Sequence, residues 1–139
     1  MCFTSNNTSF HKSVPSNRDE TGKLVIEAVR YFAEMKKRNA FPHLDEYFFR
    51  LALDELVENA MVHGNRLDGS KRISVEIKPA QDLAEITVTD EGCGFVPSNV
   101  SNPRSPENFF KSGGRGLFIV QKIGKVRWND RGNSVRVML

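Results

Sequence analysis

The sequence predicts an α+β fold: a two-layer α/β sandwich whose helices cover one face of a mostly antiparallel sheet. Three observations support this prediction. Apolar residues follow a helical period in the first half of the chain, and they alternate with polar residues after residue 70. Short turn-forming segments separate the alternating stretches, as in β-hairpins. Helices followed by hairpins, with a further helix between them, are typical of two layers packed around one core.

Three helices are predicted. The first covers about residues 21–39, where apolar side chains recur every three or four positions. Phe41-Pro42 interrupts the pattern, and a second helix follows over about residues 44–62. Gly64 is suited to end this helix in a left-handed conformation. The third helix is expected over about residues 115–123.

Four strands follow from alternation. Residues 73, 75 and 77 are apolar between polar neighbours, and residues 84, 86 and 88 repeat the pattern. The four residues 79–82 between these runs suit a hairpin loop. The chain ends with a second hairpin, "KVRWN" and "SVRVML", joined by a turn at residues 130–133.

Length and composition favour one domain. Of 139 residues, 39% are hydrophobic and 27% are charged, which is ordinary for a globular chain. We expect a polar tail over residues 1–20, with a short edge strand near residues 9–14, and a domain over residues 21–139. Without an apolar run of about 20 residues, a membrane span is not expected, and we predict a cytoplasmic protein. Its two cysteines, Cys2 and Cys93, predict free thiols.

The formal net charge of +3 is spread along the chain. No basic surface interleaved with aromatic residues is recognisable, so direct nucleic-acid binding is not expected.

The second helix carries a polar stripe beside its sheet-facing side. Glu55, Asn59 and His63 are spaced four apart in "LDELVENAMVHGN". An amide oxygen suits Mg²⁺, and a carboxylate one turn away can orient or deprotonate a nucleophile. A solvated helix flank, with His63 satisfied at the helix end, is the simpler interpretation of these residues alone, and both interpretations stay open.

The second predicted strand ends in "TDEGCGF". Asp90 has the parity of the apolar residues 84, 86 and 88, so its carboxylate should point toward the helices. A carboxylate there requires a hydrogen-bond donor, which a nucleobase amine would supply. Gly92 and Gly94 would let the backbone approach a planar ring. An acidic turn that only closes the strand is the simpler alternative.

A glycine-rich segment, "KSGGRGLFIVQKI", introduces the third helix. The free N–H groups of a helix start attract phosphate, and Lys111 and Arg115 add positive charge. The segment lacks the P-loop pattern, and alone it is compatible with a tight turn. The preceding loop is rich in Pro, Ser, Asn and Gly, and it is longer than compact domains usually contain.

Together these three motifs resemble those of a known superfamily. "DELVENAMVHGN" is similar to the N box, "DEGCGF" to the G1 box and "GGRGLFIV" to the G2 box of the GHKL ATPases. Two details resemble the anti-sigma factor serine/threonine kinases: the first motif combines ExxxN with a final HG, and the third contains the sequence "GRGLFIV". Such kinases bind a sigma factor and phosphorylate a serine of a STAS-domain anti-anti-sigma protein.

The resemblance implies a role for each matching residue. Glu55 would be the catalytic base, Asn59 the Mg²⁺ ligand and Asp90 the contact to the adenine amino group, with Gly92 and Gly94 beside the base. The phosphates of ATP would meet residues of the G2 segment: Lys111, Gly114, Arg115, Gly116 and Leu117. Residues 96–112 would form a lid, and Ser134 would lie beside the base.

The expected partners are a STAS-domain protein, a sigma factor and a second copy of the chain in a homodimer. Two alternatives remain. One is a partner-switching regulator that binds ATP without transferring phosphate, although the presence of Glu55 favours an enzyme. The other is the ATP-binding part of a split histidine kinase, which is disfavoured because no helical segment with a phosphoacceptor histidine is recognisable before the domain.

Overall fold

The computed structural model describes residues 8–94 and 116–139, with only the backbone at residues 116 and 117. The elements in chain order are strand β1 (Phe10–Pro15), helix α1 (Arg18–Lys37), helix α2 (Glu46–Asn59), a π-helical turn (Ala60–Gly64), strands β2 (Arg72–Ala80) and β3 (Leu83–Asp90), helix α3 (Gly116–Ile123), and strands β4 (Lys125–Trp128) and β5 (Ser134–Met138).

The strands form one sheet in the order β1-β2-β3-β5-β4, and every neighbouring pair is antiparallel. Helices α1 and α2 pack against each other, and α3 packs against α2. The predicted α+β class, with helices packed on a mostly antiparallel sheet, is therefore confirmed.

The alternation of β2 and β3 places their apolar residues beneath the helices. The inward residues are all at most 1% exposed: Ile73, Val75, Ile77, Ala84, Ile86 and Val88. Opposite them, the ring of Phe32 in α1 lies between Phe41 and Phe49, with centroids 5.5 Å and 4.3 Å away. The core therefore joins α1, α2 and the sheet through stacked rings and branched aliphatic side chains.

Strand β1 forms at the place where the sequence suggested an edge strand. It pairs with β2, and Phe10 and Val14 are buried under the helices at 1% and 3% exposure. Asn17 then caps α1 by accepting a hydrogen bond from the backbone N–H of Glu20 at 2.8 Å. Helix α1 therefore begins at Arg18, three residues before the predicted start, and the remaining tail residues 1–7 lie outside the described residues.

The end of the second helix differs from the prediction. The α-helical pattern stops at Asn59, and Gly64 does not adopt the expected left-handed conformation. Instead the N–H of Asn65 donates to the carbonyl of Ala60 at 2.8 Å, a five-residue bond that widens the last turn into a π-helix. The chain reverses at Arg66 and Leu67, whose φ angles are 54° and 62°. The need for a glycine at residue 64 is therefore explained by its contact with Asp90 at the end of β3.

None of the helices in the described part of the chain combines the length and the apolar character needed to cross a membrane.

We predict that Phe49→Ala lowers the free energy of unfolding by about 3–5 kcal/mol, because it leaves a cavity beside Phe32. Phe49 is fully buried, whereas the neighbouring Tyr47 is 68% exposed. Tyr47→Ala is therefore the control, with an expected change within about 0.5 kcal/mol. Urea denaturation followed by circular dichroism measures both, and equal effects would contradict this account of the core.

Candidate active site

Glu55 and Asn59 lie half-buried on α2, one turn apart. Asn59 Nδ2 donates to the backbone carbonyl of Glu55 at 2.8 Å. Because the amide nitrogen faces the helix backbone, Asn59 Oδ1 points away from it. Within residues 8–94 and 116–139, no hydrogen bond to this oxygen is formed. The geometry thus presents one neutral oxygen ligand, with Glu55 on the preceding turn.

The carboxylate of Glu55 differs in its surroundings from the two acids on either side of it. Burial raises the pKa of Glu55, and the negative charges of Glu58 and Asp54 raise it further. Asp54 and Glu58 are exposed and form ion pairs with Arg50 at 3.7 Å and Arg18 at 3.3 Å. No ion pair to Glu55 is formed in the described part of the chain. Burial raises the pKa of Asp54 too, but the charge and hydrogen bond of Arg50 oppose that rise, whereas no positive group opposes it at Glu55. Glu55 is therefore a half-buried acid that is suited to accept a proton.

Asp90 ends β3 on the helix side of the sheet, as its parity predicts. Its Oδ1 accepts a hydrogen bond from the N–H of Gly92 at 2.8 Å, and the carboxyl is half-buried. Burial raises the pKa of Asp90; the Gly92 hydrogen bond and the charges of Lys71 and Arg131 oppose this effect. The second carboxylate oxygen, Oδ2, accepts no hydrogen bond from any described residue. It can accept one from a ligand amine.

Three glycines allow the backbone to pack closely around Asp90. A Cβ atom on Gly64 would overlap the Asp90 carboxylate, and one on Gly92 would overlap the carbonyl of Gly64. Gly94 has a φ of +71°, and its Cβ would overlap the carbonyl of Arg131. Gly92 and Gly94 therefore pack against other backbone segments, a contact that the sequence did not reveal. The π-helical turn after α2 and the chain that follows β3 therefore pack directly against each other at Gly64 and Gly92.

This contact fixes how Asp90 lies relative to the helix residues. With a rise of 1.5 Å per residue in α2, Glu55 lies roughly 6 Å further along the helix axis from Gly64 than Asn59 does. The Asp90 carboxylate touches Gly64. A ligand held at one end by Asp90 and extended along α2 would meet Asn59 first and Glu55 second.

The side chain of Asn65 was not predicted as part of the site. It is fully buried, its Nδ2 donates to the Arg72 carbonyl at 3.0 Å, and its Oδ1 accepts from the Glu91 N–H at 2.8 Å. The only sequence signal for this residue was its place directly after His63-Gly64 in the first motif.

The expectation that Ser134 lies beside the nucleotide base is not supported by the sheet register. Ser134 pairs with Thr89, and their hydroxyls are 2.8 Å apart on the face opposite the helices. Asn133 adjoins Asp90 instead, because its Nδ2 donates to the Asp90 carbonyl at 3.0 Å. A one-residue difference in register exchanges the two faces of a strand, and the sequence could not fix that register.

Several other predicted residues take no part in the described geometry. His63 is exposed on the π-helical turn. Gly116 and Leu117 begin the backbone of α3. Lys111, Gly114, Arg115 and the predicted lid over residues 96–112 lie outside the described residues.

In the part of the chain that the structure describes, no cluster of three His, Cys, Asp or Glu side chains could hold a metal ion by itself. The amide oxygen of Asn59, which accepts no hydrogen bond from the described residues, fits a different arrangement. Mg²⁺ in nucleotide sites is held by one or two protein oxygens, by water and by substrate phosphates. The donor set is therefore compatible with a metal that binds together with its nucleotide.

Comparison with known proteins identifies the architecture. A family model described as the histidine kinase-like ATPase domain matches residues 20–139. The chain belongs to this family. The predicted GHKL-type ATPase domain is thereby confirmed, and an ATPase domain of this kind binds ATP. The site at the end of β3 and along α2 is thus the candidate for the nucleotide.

Two kinds of relatives are similar to parts of the chain. The probable C4-dicarboxylate sensor kinase of Bacillus subtilis (strain 168) is 29% identical over 81% of the chain. The anti-sigma F factor of Clostridium perfringens (strain SM101 / Type A) is 37% identical over 41% of the chain. The chain spans 23% of the sensor kinase and 39% of the anti-sigma factor.

We predict that Asp90→Asn stabilises the protein increasingly as the pH rises. Since folding raises the pKa of Asp90, the contribution of its neutral form is fully present below the unfolded pKa of about 3.9 and is lost above the folded pKa. Asparagine stays neutral and can still accept from Gly92. Denaturation from about pH 4 to pH 7 should show the variant gaining on the wild type. A pH-independent difference would contradict a destabilised carboxylate.

Proposed function

We propose that the protein is an ATP-dependent serine kinase that binds Mg-ATP, phosphorylates a serine of a STAS-domain anti-anti-sigma protein and sequesters a sigma factor. The main observation in support of this proposal is the contact between the Asp90 carboxylate and Gly64, which ends the π-helical turn after α2. It joins a base-recognising acid to the helix that bears Asn59 and Glu55. The similarity to an anti-sigma F factor over 41% of the chain supports this class of kinase.

In the proposed complex the adenine amino group donates to Asp90. This assignment follows from the chemistry of the site: the carboxylate is half-buried, and its Oδ2 has no hydrogen-bond donor among the described residues. The phosphates then extend toward Asn59, whose Oδ1 would bind Mg²⁺. The metal neutralises charge on the phosphate oxygens when it is bound. Arg115 and the N–H groups at the start of α3 would stabilise the transferred phosphoryl group.

Glu55 would act on the acceptor. Its carboxylate accepts the proton of the serine hydroxyl while the serine oxygen forms a bond to the γ-phosphorus. The bond from that phosphorus to the β–γ bridging oxygen breaks, and ADP leaves. A raised pKa suits this role, because a base works best when its pKa approaches the working pH.

Glu55 also argues against a regulator that binds ATP without transferring phosphate. A half-buried carboxylate next to two other acids costs stability, and ion pairs with Arg50 and Arg18 offset part of this cost at Asp54 and Glu58 but not at Glu55. A pure binding protein gains nothing from an unrelieved acid at this position. The acid is explained by its use in catalysis.

A second candidate is the ATP-binding part of a histidine kinase. The observation in its favour is the similarity to a sensor kinase over 81% of the chain. In that case the acceptor would be an imidazole nitrogen rather than a serine hydroxyl. Phosphohistidine is labile in acid and phosphoserine is stable, so the acid stability of the labelled product distinguishes the two.

We also propose that the protein works in the cytoplasm as a homodimer that contacts neither membranes nor nucleic acid directly. This proposal rests on the resemblance to anti-sigma kinases.

We predict that Asp90→Asn weakens ATP binding at least tenfold, since a charge-assisted hydrogen bond to the adenine amine is lost. Isothermal titration calorimetry measures the affinity. Glu85→Gln is the matched control, because Glu85 lies on the same strand but faces Lys78 and Arg136. Equal affinities of wild type and Asp90→Asn would remove Asp90 from the adenine site.

We predict that Glu55→Gln slows phosphoryl transfer by about 10²–10⁴-fold while ATP affinity stays within about threefold, because only the base is removed. The assay follows labelled phosphate from ATP to a purified STAS-domain protein. Asp54→Asn removes an adjacent acid that is already ion-paired, so it should retain the wild-type rate.

Two outcomes would contradict this proposal. If wild-type protein binds ATP but labels none of the STAS proteins of its own genome, the serine kinase assignment fails. If Glu55→Gln and Asp54→Asn reduce the rate equally, Glu55 is not the base.

A further inference from the structure

Asn65 is a buried polar side chain that none of the proposed chemical steps uses. It is fully buried, and only Ser16 and Thr21 share its class of buried polar residues among those described. It directly follows the π-helical turn, and its own N–H closes that turn on Ala60. A buried amide is costly unless each polar atom is paired, so its partners indicate what it does.

Both partners of the side chain are backbone groups at strand ends. Asn65 Nδ2 donates to the carbonyl of Arg72, where β2 begins, and Oδ1 accepts from the N–H of Glu91, directly after β3. A third hydrogen bond joins these two strand ends directly, because the Glu91 carboxylate accepts from the N–H of Arg72 at 2.5 Å. Asn65, Arg72 and Glu91 therefore form a ring of three hydrogen bonds.

The ring lies next to the carboxylate assigned to adenine. Glu91 separates Asp90 from Gly92, and the Gly92 N–H holds Asp90 Oδ1. On the other side, Asn65 follows Gly64, whose backbone leaves room for that carboxylate. On one side of the Asp90 side chain, the N–H of the next residue, Glu91, donates to Asn65 Oδ1. On the other side lies Gly64, which directly precedes Asn65.

An asparagine satisfies both strand ends with one short planar group. Aspartate could still accept from Glu91 but could not donate to the Arg72 carbonyl. Alanine could do neither, and glutamine would place the amide one methylene too far. The requirement is therefore for one donor and one acceptor at fixed separation.

We propose that Asn65 is the positioning residue of the nucleotide site, fixing the Glu91 peptide so that the Asp90 carboxylate faces the adenine amine. This inference rests on the proposed role of Asp90. A guanine presents a carbonyl oxygen where adenine presents the amino group, so a correctly held carboxylate favours ATP over GTP. Loss of the ring of hydrogen bonds then reduces the selectivity for adenine over guanine in addition to the stability of the protein.

The test compares Asn65→Ala and Asn65→Asp with wild type in two measurements. The first is hydrogen exchange of the Glu91 amide in nucleotide-free protein, and the second is the ratio of ATP to GTP affinity. We expect Asn65→Ala to speed exchange at Glu91 at least tenfold and to reduce the affinity ratio at least fivefold. Asn65→Asp keeps the acceptor, so it should retain most of the protection and most of the selectivity despite lower stability.

Ile77→Ala is the control for stability alone, since Ile77 is buried on β2 beside Phe10 and Ile86, away from Asp90. It should lower the melting temperature and leave both the Glu91 exchange and the affinity ratio unchanged. If Asn65→Ala behaves in the same way, the positioning role is refuted. If wild type binds ATP and GTP equally, the adenine assignment of Asp90 fails, and the exchange measurement alone still decides whether Asn65 holds Glu91.

Discussion

The site depends on the close packing of the Asp90 carboxylate against the backbone of Gly64, where a Cβ atom at residue 64 would overlap the carboxylate. The same constraint recurs one step away, where Gly92 has no room for a Cβ against the Gly64 carbonyl. Two pieces of backbone that are far apart in sequence are therefore locked at contact distance. The position of every proposed ligand group follows from this contact, because it fixes the end of α2 relative to the end of β3.

The π-helical turn makes that contact possible. The five-residue bond from Asn65 to Ala60 widens the last turn of the helix, directly before the chain reverses at Arg66 and Leu67. Such turns are frequent at functional sites, since they redirect groups at the end of a helix. Here the turn places Gly64 against Asp90 and buries Asn65 between two strands.

Sequence patterns predicted those parts of the fold that depend on local periodicity. The inward face of β3, and with it the direction of Asp90, followed from the alternation of Ala84, Ile86 and Val88. Ser134 was expected beside the base, whereas its hydroxyl pairs with that of Thr89; this pairing depends on the register with β3, which no local pattern encodes. Asn65 was missed for a related reason: its partners, the Arg72 carbonyl and the Glu91 N–H, are backbone groups that every residue possesses. Gly64 was predicted as a helix end, but a glycine is needed there because the Asp90 carboxylate packs against it, which is a tertiary contact.

The acids of the site differ from the other acids in how their charge is balanced. Glu27 forms an ion pair with Lys12 at 2.6 Å, and Asp54 and Glu58 each form an ion pair with an arginine. Burial raises the pKa of Asp54, Glu55 and Asp90, but of these only Asp54 forms an ion pair within the described residues. Folding alone would favour amides at Glu55 and Asp90, because these would avoid the cost of a desolvated charge. A carboxylate at each position is consistent with the proposed roles, in which Asp90 accepts a charge-assisted hydrogen bond from the adenine amine and Glu55 accepts a hydroxyl proton.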